Sequence, residues 1–260
     1  MTIRVGTYNL HGMRDSVPAL TRVIAAMRAD VLCVQEAPRL RRSRRGALAA
    51  AAGLRVATPG RVGGVAVFTG PRVRVLHAES HALRLFLGLE RRGLALAVVD
   101  VAGARLAVGS LHLDLHDSAR VHHAAEAVAL MERAAGRFGA TIVLGGDINE
   151  QAHQPAWRLL AGRLADCHAV AARERQGDRA PQGERRGERE RRGDGAEIAP
   201  ERPADEGLTF TSARPAVRID GVFAAREAHV VSCGGVDASS ADLAGASDHL
   251  PVVAELRIGH

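Results

Sequence analysis

One stretch of this chain constrains its fold more than any other: Thr141-Ile-Val-Leu-Gly-Gly-Asp-Ile-Asn149. The apolar, β-branched run Thr141 to Leu144 has the composition of a strand covered on both faces, the kind found inside α/β proteins. Gly145 and Gly146 follow, and glycines there are expected to turn the backbone and leave room for a ligand. Asp147 and Asn149 stand two apart, so in an extended chain they point the same way. Polar groups at the carboxyl end of a buried strand are where open α/β sheets place their chemistry. The competing reading is a strand followed by an ordinary Asp/Asn turn, and the other strand ends decide between the two.

Strands are expected over Ile3–Leu10, Val31–Val34, Val62–Phe68, Val73–Glu79, Leu94–Val101, Arg105–Leu111, Val217–Ala224, Ala228–Cys233 and Val252–Leu256. Helical spacing of apolar residues marks Val17–Met27, Arg44–Ala52, Asp117–Phe138 and a short segment from Pro155 to Leu160. A coarse echo runs through the pattern, since each half contains strand, helix, then a strand ending in a polar residue. It suggests two similar sheets packed face to face.

Six strand ends carry a polar residue where the apolar pattern stops: Asn9, Glu36, His112, Asp147 with Asn149, Asp220, and Asp248 with His249. Each sets a group that is costly to desolvate beside a buried core. Together they supply carboxylates, amides and imidazoles, an oxygen-rich set that suits Mg²⁺ or Mn²⁺.

Composition narrows the setting. With 260 residues, 47% of them hydrophobic, the chain can bury a sizeable core as one domain over 1–260. No apolar run is long enough to span a bilayer. No basic region leads into an apolar segment at the start, so a cytoplasmic protein is expected. Cys33, Cys167 and Cys233 are too scattered for a disulfide framework or a zinc site. The segment 173–206 holds nine Arg against ten Asp or Glu and almost no large apolar residue, so it is expected to be a disordered insertion. The net charge of +6 therefore belongs to the folded part, and all of the basic residues are Arg. Arg39, Arg41, Arg42, Arg44 and Arg45 cluster just after Glu36. Such a cluster is commonly a solvated face. Beside a metal ligand it would instead be a phosphate-binding rim, because the guanidinium fork donates two hydrogen bonds at once.

The ordered set Tyr8-Asn-Leu-His-Gly12, Gln35-Glu36, His112-Leu-Asp114, Gly146-Asp-Ile-Asn149, Arg218-Ile-Asp220 and Ser247-Asp-His249 resembles the endonuclease/exonuclease/phosphatase superfamily, whose fold is that of deoxyribonuclease I. Asp166, Thr209 and Phe210 also match family positions. The resemblance spans nearly the whole chain. It implies an α/β fold of four layers, two packed central mixed β-sheets flanked by helices. It also implies metal-assisted hydrolysis of a phosphate ester or diester by in-line attack of water.

Carried over by the resemblance, Glu36 is the main metal ligand with Asn9 and Asp248 close by. Asp147 orients or deprotonates water and Asn149 helps to hold the phosphate. Asp220 pairs with His249, His249 contacts the phosphate, and His112 donates to the phosphate or the leaving oxygen. His11 replaces an acidic or amide residue found in several family nucleases, which favours one metal and makes His11 a phosphate contact. Asp114 and His116 are expected at the surface or behind the site, and His122 and His123 in solvent. The expected substrate is a phosphodiester, with a nuclease-like preference and Arg41, Arg42, Arg44 and Arg45 as substrate contacts. A phosphatase or a lipid phosphodiesterase is the alternative. Aromatics are only 3% of residues, which argues against the abasic-site repair branch. A non-catalytic binding module need not keep all six strand ends. The chain is expected to act as a monomer.

Overall fold

The computed structural model describes residues 1–38, 42–59, 62–179 and 207–259. The first sheet has six strands in the order β11-β12-β1-β2-β4-β3. These are β1 (Thr2–Asn9), β2 (Val31–Gln35), β3 (Arg55–Val56), β4 (Ala66–Thr69), β11 (His229–Gly234) and β12 (Val252–Arg257). The second sheet also has six, in the order β5-β6-β7-β8-β10-β9. These are β5 (Arg74–Ala82), β6 (Gly93–Val101), β7 (Ala104–His112), β8 (Thr141–Asp147), β9 (Ala165–Asp166) and β10 (Asp220–Ala224).

Both sheets are built around a parallel pair joined by a helix. Helix α1 (Val17–Met27) links the parallel strands β1 and β2, and α3 (Asp117–Phe138) links β7 and β8. An antiparallel strand flanks each pair on either side, β12 and β4 in one sheet, β6 and β10 in the other. The echo read in the sequence is this repeated unit.

Three apolar clusters define the layers. The inner faces of the two sheets meet through Val5, Cys33, Val67, Ala97, Val108, Val143 and Val222. The second sheet's outer face packs under α3 and α4 (Pro155–Arg163), and the first sheet's under α1 and α2 (Arg42–Ala51). A strand between two apolar layers must be apolar on both sides, which accounts for the unbroken run in β8. Helix α5 (Cys167–Arg179) and the seven-residue α6 (Ser240–Ala246) complete the set of six helices among the described residues. Helix α5 occupies the first residues of the expected insertion 173–206, and residues 180–206 lie outside the described residues. Cys33, Cys167 and Cys233 are buried free thiols.

The two glycines do not serve the purpose expected from the sequence. Gly145 and Gly146 lie inside β8, paired with Val222 and Gly221 of β10. A Cβ on Gly145 would come within 3.0 Å of Cys33 and 3.1 Å of Thr7 on the opposing sheet. A Cβ on Gly146 would overlap the Leu111 carbonyl oxygen on β7. Their missing side chains let protein approach protein, so the space is not left for a ligand. Gly146→Ala is accordingly expected to cost about 3 kcal/mol, the upper end for overpacking against a backbone that cannot yield. Gly136, on the exposed face of helix α3, has nothing within 4 Å, and Gly136→Ala is expected to gain about 0.5–1 kcal/mol. Urea unfolding of the two variants checks both signs.

Candidate active site

Strand register assembles the site. His112 of β7 pairs with Asp147 of β8, and Asp147 pairs with Asp220 of β10, so the three lie in one row across neighbouring strands. Side chains in such a row share a face. At the end of the first sheet, Asn9 pairs with Gln35, and Glu36 follows. Ser247 ties the last segment to this end, its hydroxyl donating to the Asn9 carbonyl at 2.7 Å and accepting from the His249 amide at 3.2 Å. Both sheets therefore deliver their polar strand ends to a single cleft of about 900 Å³. Its walls include His11, Glu36, His112, Asp147, Asn149 and Asp248.

Asp147 is the hub. It is 1% exposed, and its Oδ2 accepts from Asn9 Nδ2 at 3.0 Å. His112 Nε2 lies 3.5 Å and His249 Nε2 3.7 Å from the same oxygen. Its Oδ1 accepts the Asn149 backbone N–H at 3.0 Å, while the Asn149 side chain donates to the Leu113 carbonyl at 3.0 Å. Burial, and then the charge of Asp220, hold the Asp147 carboxyl above the usual carboxylate range, against the pull of His112, His249 and Asn9.

His249 donates from Nδ1 to Asp220 Oδ2 at 2.8 Å, and its ring rests against Phe210 with centroids 5.0 Å apart. Burial pulls the imidazole pKa down. The charge and hydrogen bond of Asp220, with Asp147 and Asp248, outweigh that and raise it to about 9. At neutral pH the ring is therefore an imidazolium with Nε2–H directed toward Asp147. Asn9 Nδ2 lies 3.5 Å from that nitrogen, and both are donors, so the amide hydrogens go to Asp147 and, at 3.2 Å, to Glu36.

Glu36 and Asn149 both have left-handed backbone, with φ of 50° and 53°. For a non-glycine residue this costs on the order of 1–2 kcal/mol, least for Asn. Strain of this kind persists where surrounding structure imposes it, and it concentrates at functional sites. At Glu36 the following amide, Ala37, is held by the Gly64 carbonyl at 2.7 Å.

The site residues expected from sequence divide into two groups. Asn9, His11, Glu36, His112, Asp147, Asn149, Asp220, Asp248 and His249 converge at this end of the sandwich. His11 Nδ1 contacts Asp15 at 2.6 Å, and its Nε2 lies 3.8 Å from Asp248. The basic cluster does not converge as a unit. Arg45 is only 4% exposed, and it borders a separate hollow with Gly46, Val56 and Thr58, so it is not a cleft contact. Helical geometry is the reason, since one residue in three or four of α2 must face the core. Arg44 is exposed, Arg39 and Arg41 lie outside the described residues, and so does the Arg42 side chain.

One further expectation changes, that of His123 in solvent, while Asp114 takes the place behind the site that was one of its two alternatives. Asp114 is 3% exposed and bonded to Arg92, and His123 is 1% exposed with Nε2 2.8 Å from the Arg84 carbonyl oxygen. Sequence reasoning passed over Arg92 and Glu90, which also line the cleft. They precede the apolar run of β6 and belong to none of the six ordered motifs.

The donor set fits a hard divalent cation. Glu36, Asp147 and Asp248 bring carboxylate oxygens to one cleft, and the only hydrogen-bond partner of Glu36 among the described residues is the Asn9 amide, whose own oxygen accepts the His11 N–H at 3.0 Å. Asp147, Asp220 and His249 also place three ligand atoms within 4.8 Å of one another. In that triad Asp220 Oδ2 and His249 Nδ1 bond each other, while Asp220 Oδ1 is buried with no partner among the described residues, so open oxygens stand at Asp220 as well as around Glu36.

No curated protein sequence matches the chain. Solved structures share its fold over their full length. A protein from Bacteroides vulgatus of the endonuclease/exonuclease/phosphatase group superposes with a TM-score of 0.72 at 18% identity, covering 100% of both chains. A mannosyl-6-phosphatase from Bacteroides thetaiotaomicron gives 0.71 at 19% identity, covering 98% of this chain and 100% of its own. The human nocturnin catalytic domain, with a bound sulfate anion, gives 0.70 at 14% identity, covering 99% of this chain and 95% of its own. Likeness at such identities carries the fold, and membership rests on the sequence itself. The family model for endonucleases, exonucleases and phosphatases matches residues 6–249, so this chain belongs to the endonuclease/exonuclease/phosphatase family of phosphoric-ester hydrolases, whose enzymes generally depend on a divalent metal.

Proposed function

We propose that this chain is a Mg²⁺- or Mn²⁺-dependent phosphodiesterase with a nuclease-like preference, acting as a monomer. One observation carries the reading: a buried carboxylate, Asp147, stands between the imidazoles of His112 and His249 on the floor of an open cleft. Glu36, Asn9 and Asp248 hold the metal. When bound there, a divalent cation supplies charge neutralisation at the phosphoryl oxygens.

The chain's own residues do the rest. Asp147, its proton affinity raised by burial, takes a proton from the attacking water; a base tuned toward the working pH is effective at this. Asn149, fixed by Leu113 and by Asp147, orients the phosphate. His249 Nε2–H donates to a phosphoryl oxygen, and Asp220 keeps that ring charged and in one orientation. His112 donates to the phosphate or the leaving oxygen. Donors fixed in place before reaction stabilise the spread charge of the transition state without reorganising.

A phosphatase on a small phosphate ester is the second reading. Burial of Arg45 shortens the proposed polyanion rim, and a mannosyl-6-phosphatase is among the structures of like fold. Turnover of plasmid DNA, RNA, bis-p-nitrophenyl phosphate, sphingomyelin and mannose 6-phosphate, each with Mg²⁺ and with EDTA, separates the readings. Metal-dependent cleavage of the diesters is expected. Turnover confined to the monoester would replace the leading reading with the second. Glu36→Gln is expected to raise the Mg²⁺ concentration for half-activity at least about tenfold, because it removes the one cleft carboxylate that pairs with no Arg or His among the described residues. Nucleic-acid cleavage that is unchanged when Arg41, Arg42 and Arg44 are neutralised would remove that cluster from the substrate surface.

A further inference from the structure

Arg92 is 5% exposed, yet it lines the cleft together with Glu90, His112 and Asn149. It immediately precedes β6, and Gly63 packs onto its backbone, where a Cβ would lie 3.0 Å from the Arg92 carbonyl carbon. The next residue, Gly64, holds the segment after Glu36. On the other side, Arg92 Nε donates to Asp114 Oδ2 at 3.4 Å. Asp114 is itself fixed, its Oδ1 accepting the His116 N–H at 3.0 Å. The guanidinium is thus held between the Glu36 wall and the His112 wall. Asp114 follows His112 by two residues, about 6–7 Å in extended chain, so Arg92 sits beyond the proposed reaction centre rather than in it.

What occupies the outward edge of Arg92 is informative. Its Nη1 lies 3.3 Å from Glu90 Oε2, and the Glu90 side chain is 60% exposed. Nη2 makes no hydrogen bond among the described residues. A buried cation with one carboxylate on its Nε side and an exposed one beside Nη1, in the lining of the cleft, offers a seat for an anion. Glu90 rests where a ligand oxyanion would go. The planar fork of Arg is suited to phosphate in that position.

We propose that Arg92 forms a second phosphate subsite, which takes a phosphate group next to the scissile one, and that Glu90 competes with that group for the guanidinium. Asp114 is the positioning residue. This rests on the phosphate-ester reading of the cleft and narrows the substrate class to esters that carry a further phosphate nearby. A merely structural Arg92–Glu90 ion pair makes a different prediction, because loss of either partner would then weaken the site in the same direction.

The test compares binding of thymidine 3′,5′-bisphosphate with that of the 3′- and 5′-monophosphates, by calorimetry in Mg²⁺. The wild-type protein is expected to prefer the bisphosphate at least tenfold, the worth of one charge-assisted contact. In Arg92→Gln that ratio falls to near one, and Arg92→Lys restores part of it. In Glu90→Gln the ratio rises, since the internal competitor has lost its charge. No preference in the wild type, an unchanged ratio in Arg92→Gln, or a fall in both variants would overturn the subsite. Turnover of bis-p-nitrophenyl phosphate by the same wild-type preparation reports separately on the phosphate-ester reading, because that substrate has only one phosphate.

Discussion

Asp147→Asn is expected to lower kcat/KM on bis-p-nitrophenyl phosphate by about 10²–10⁴-fold, the range for loss of a positioned general base. The metal-free fold should not suffer in proportion. Asp147 is buried beside Asp220, and these two effects raise its pKa above the ordinary 3.8. A carboxyl whose pKa is raised on folding binds protons more tightly in the folded state, so stability falls as pH rises from 3.8 through the raised value. The Asn side chain escapes that loss. Thermal melts in EDTA should therefore show the wild type losing ground to Asp147→Asn as pH rises above 3.8. Below pH 6.5 His249 is charged whether or not the chain is folded, so it does not contribute to that difference. An active-site group that is destabilising in isolation is the usual form of the stability–activity trade-off. A large loss of stability in the variant would show instead that Asp147 is primarily structural.

The second large effect is on the pH profile. Burial alone would take the His249 imidazole below 6.5, and Asp220 is the leading group that lifts it to about 9. In the wild type the alkaline limb of kcat/KM should lie near pH 9. In Asp220→Asn it should move to lower pH, held up only by Asp147 and Asp248, with activity at pH 8 reduced about tenfold or more as the ring loses its proton. The same ring links to stability with the opposite sense from a salt-bridged carboxylate. Its folded pKa is raised, so the Asp220–His249 pair is fully stabilising below 6.5, and that contribution is lost as pH rises through about 9. A limb that stays at pH 9 in Asp220→Asn would assign it to another group.

The helices α1 and α3 were legible to the residue, because long amphipathic periods carry their own boundaries. Asn9, His112 and Asp147 do close their strands and Glu36 follows β2, since an apolar run that stops at a polar group is a strong local signal, whereas Asp220 opens β10 and Asp248 and His249 precede β12. What could not be read is what depends on a distant partner. The two-residue strands β3 and β9 exist only as edges of neighbours. Five of the last seven residues of helix α5 are charged, and it joins the inter-sheet core through Cys167, Val170 and Ala171 near its start. The glycines of β8 were taken for space around a ligand, when Cys33, Thr7 and Leu111 fill that space from other strands. Arg45 read as surface by composition and is buried by the turn of α2. Arg92 had no motif at all; only its burial in the cleft, between Asp114 and Glu90, singles it out.

The division of labour within the site is the central claim: Glu36 with Asn9 and Asp248 for metal, Asp147 for water, and the Asp220–His249 pair for phosphate. Anomalous scattering from a crystal soaked in Mn²⁺ tests it most directly. A peak beside Glu36, with the Asp220–His249 hydrogen bond intact, is the predicted result. A peak enclosed by Asp147, Asp220 and His249, with that hydrogen bond broken, would contradict it.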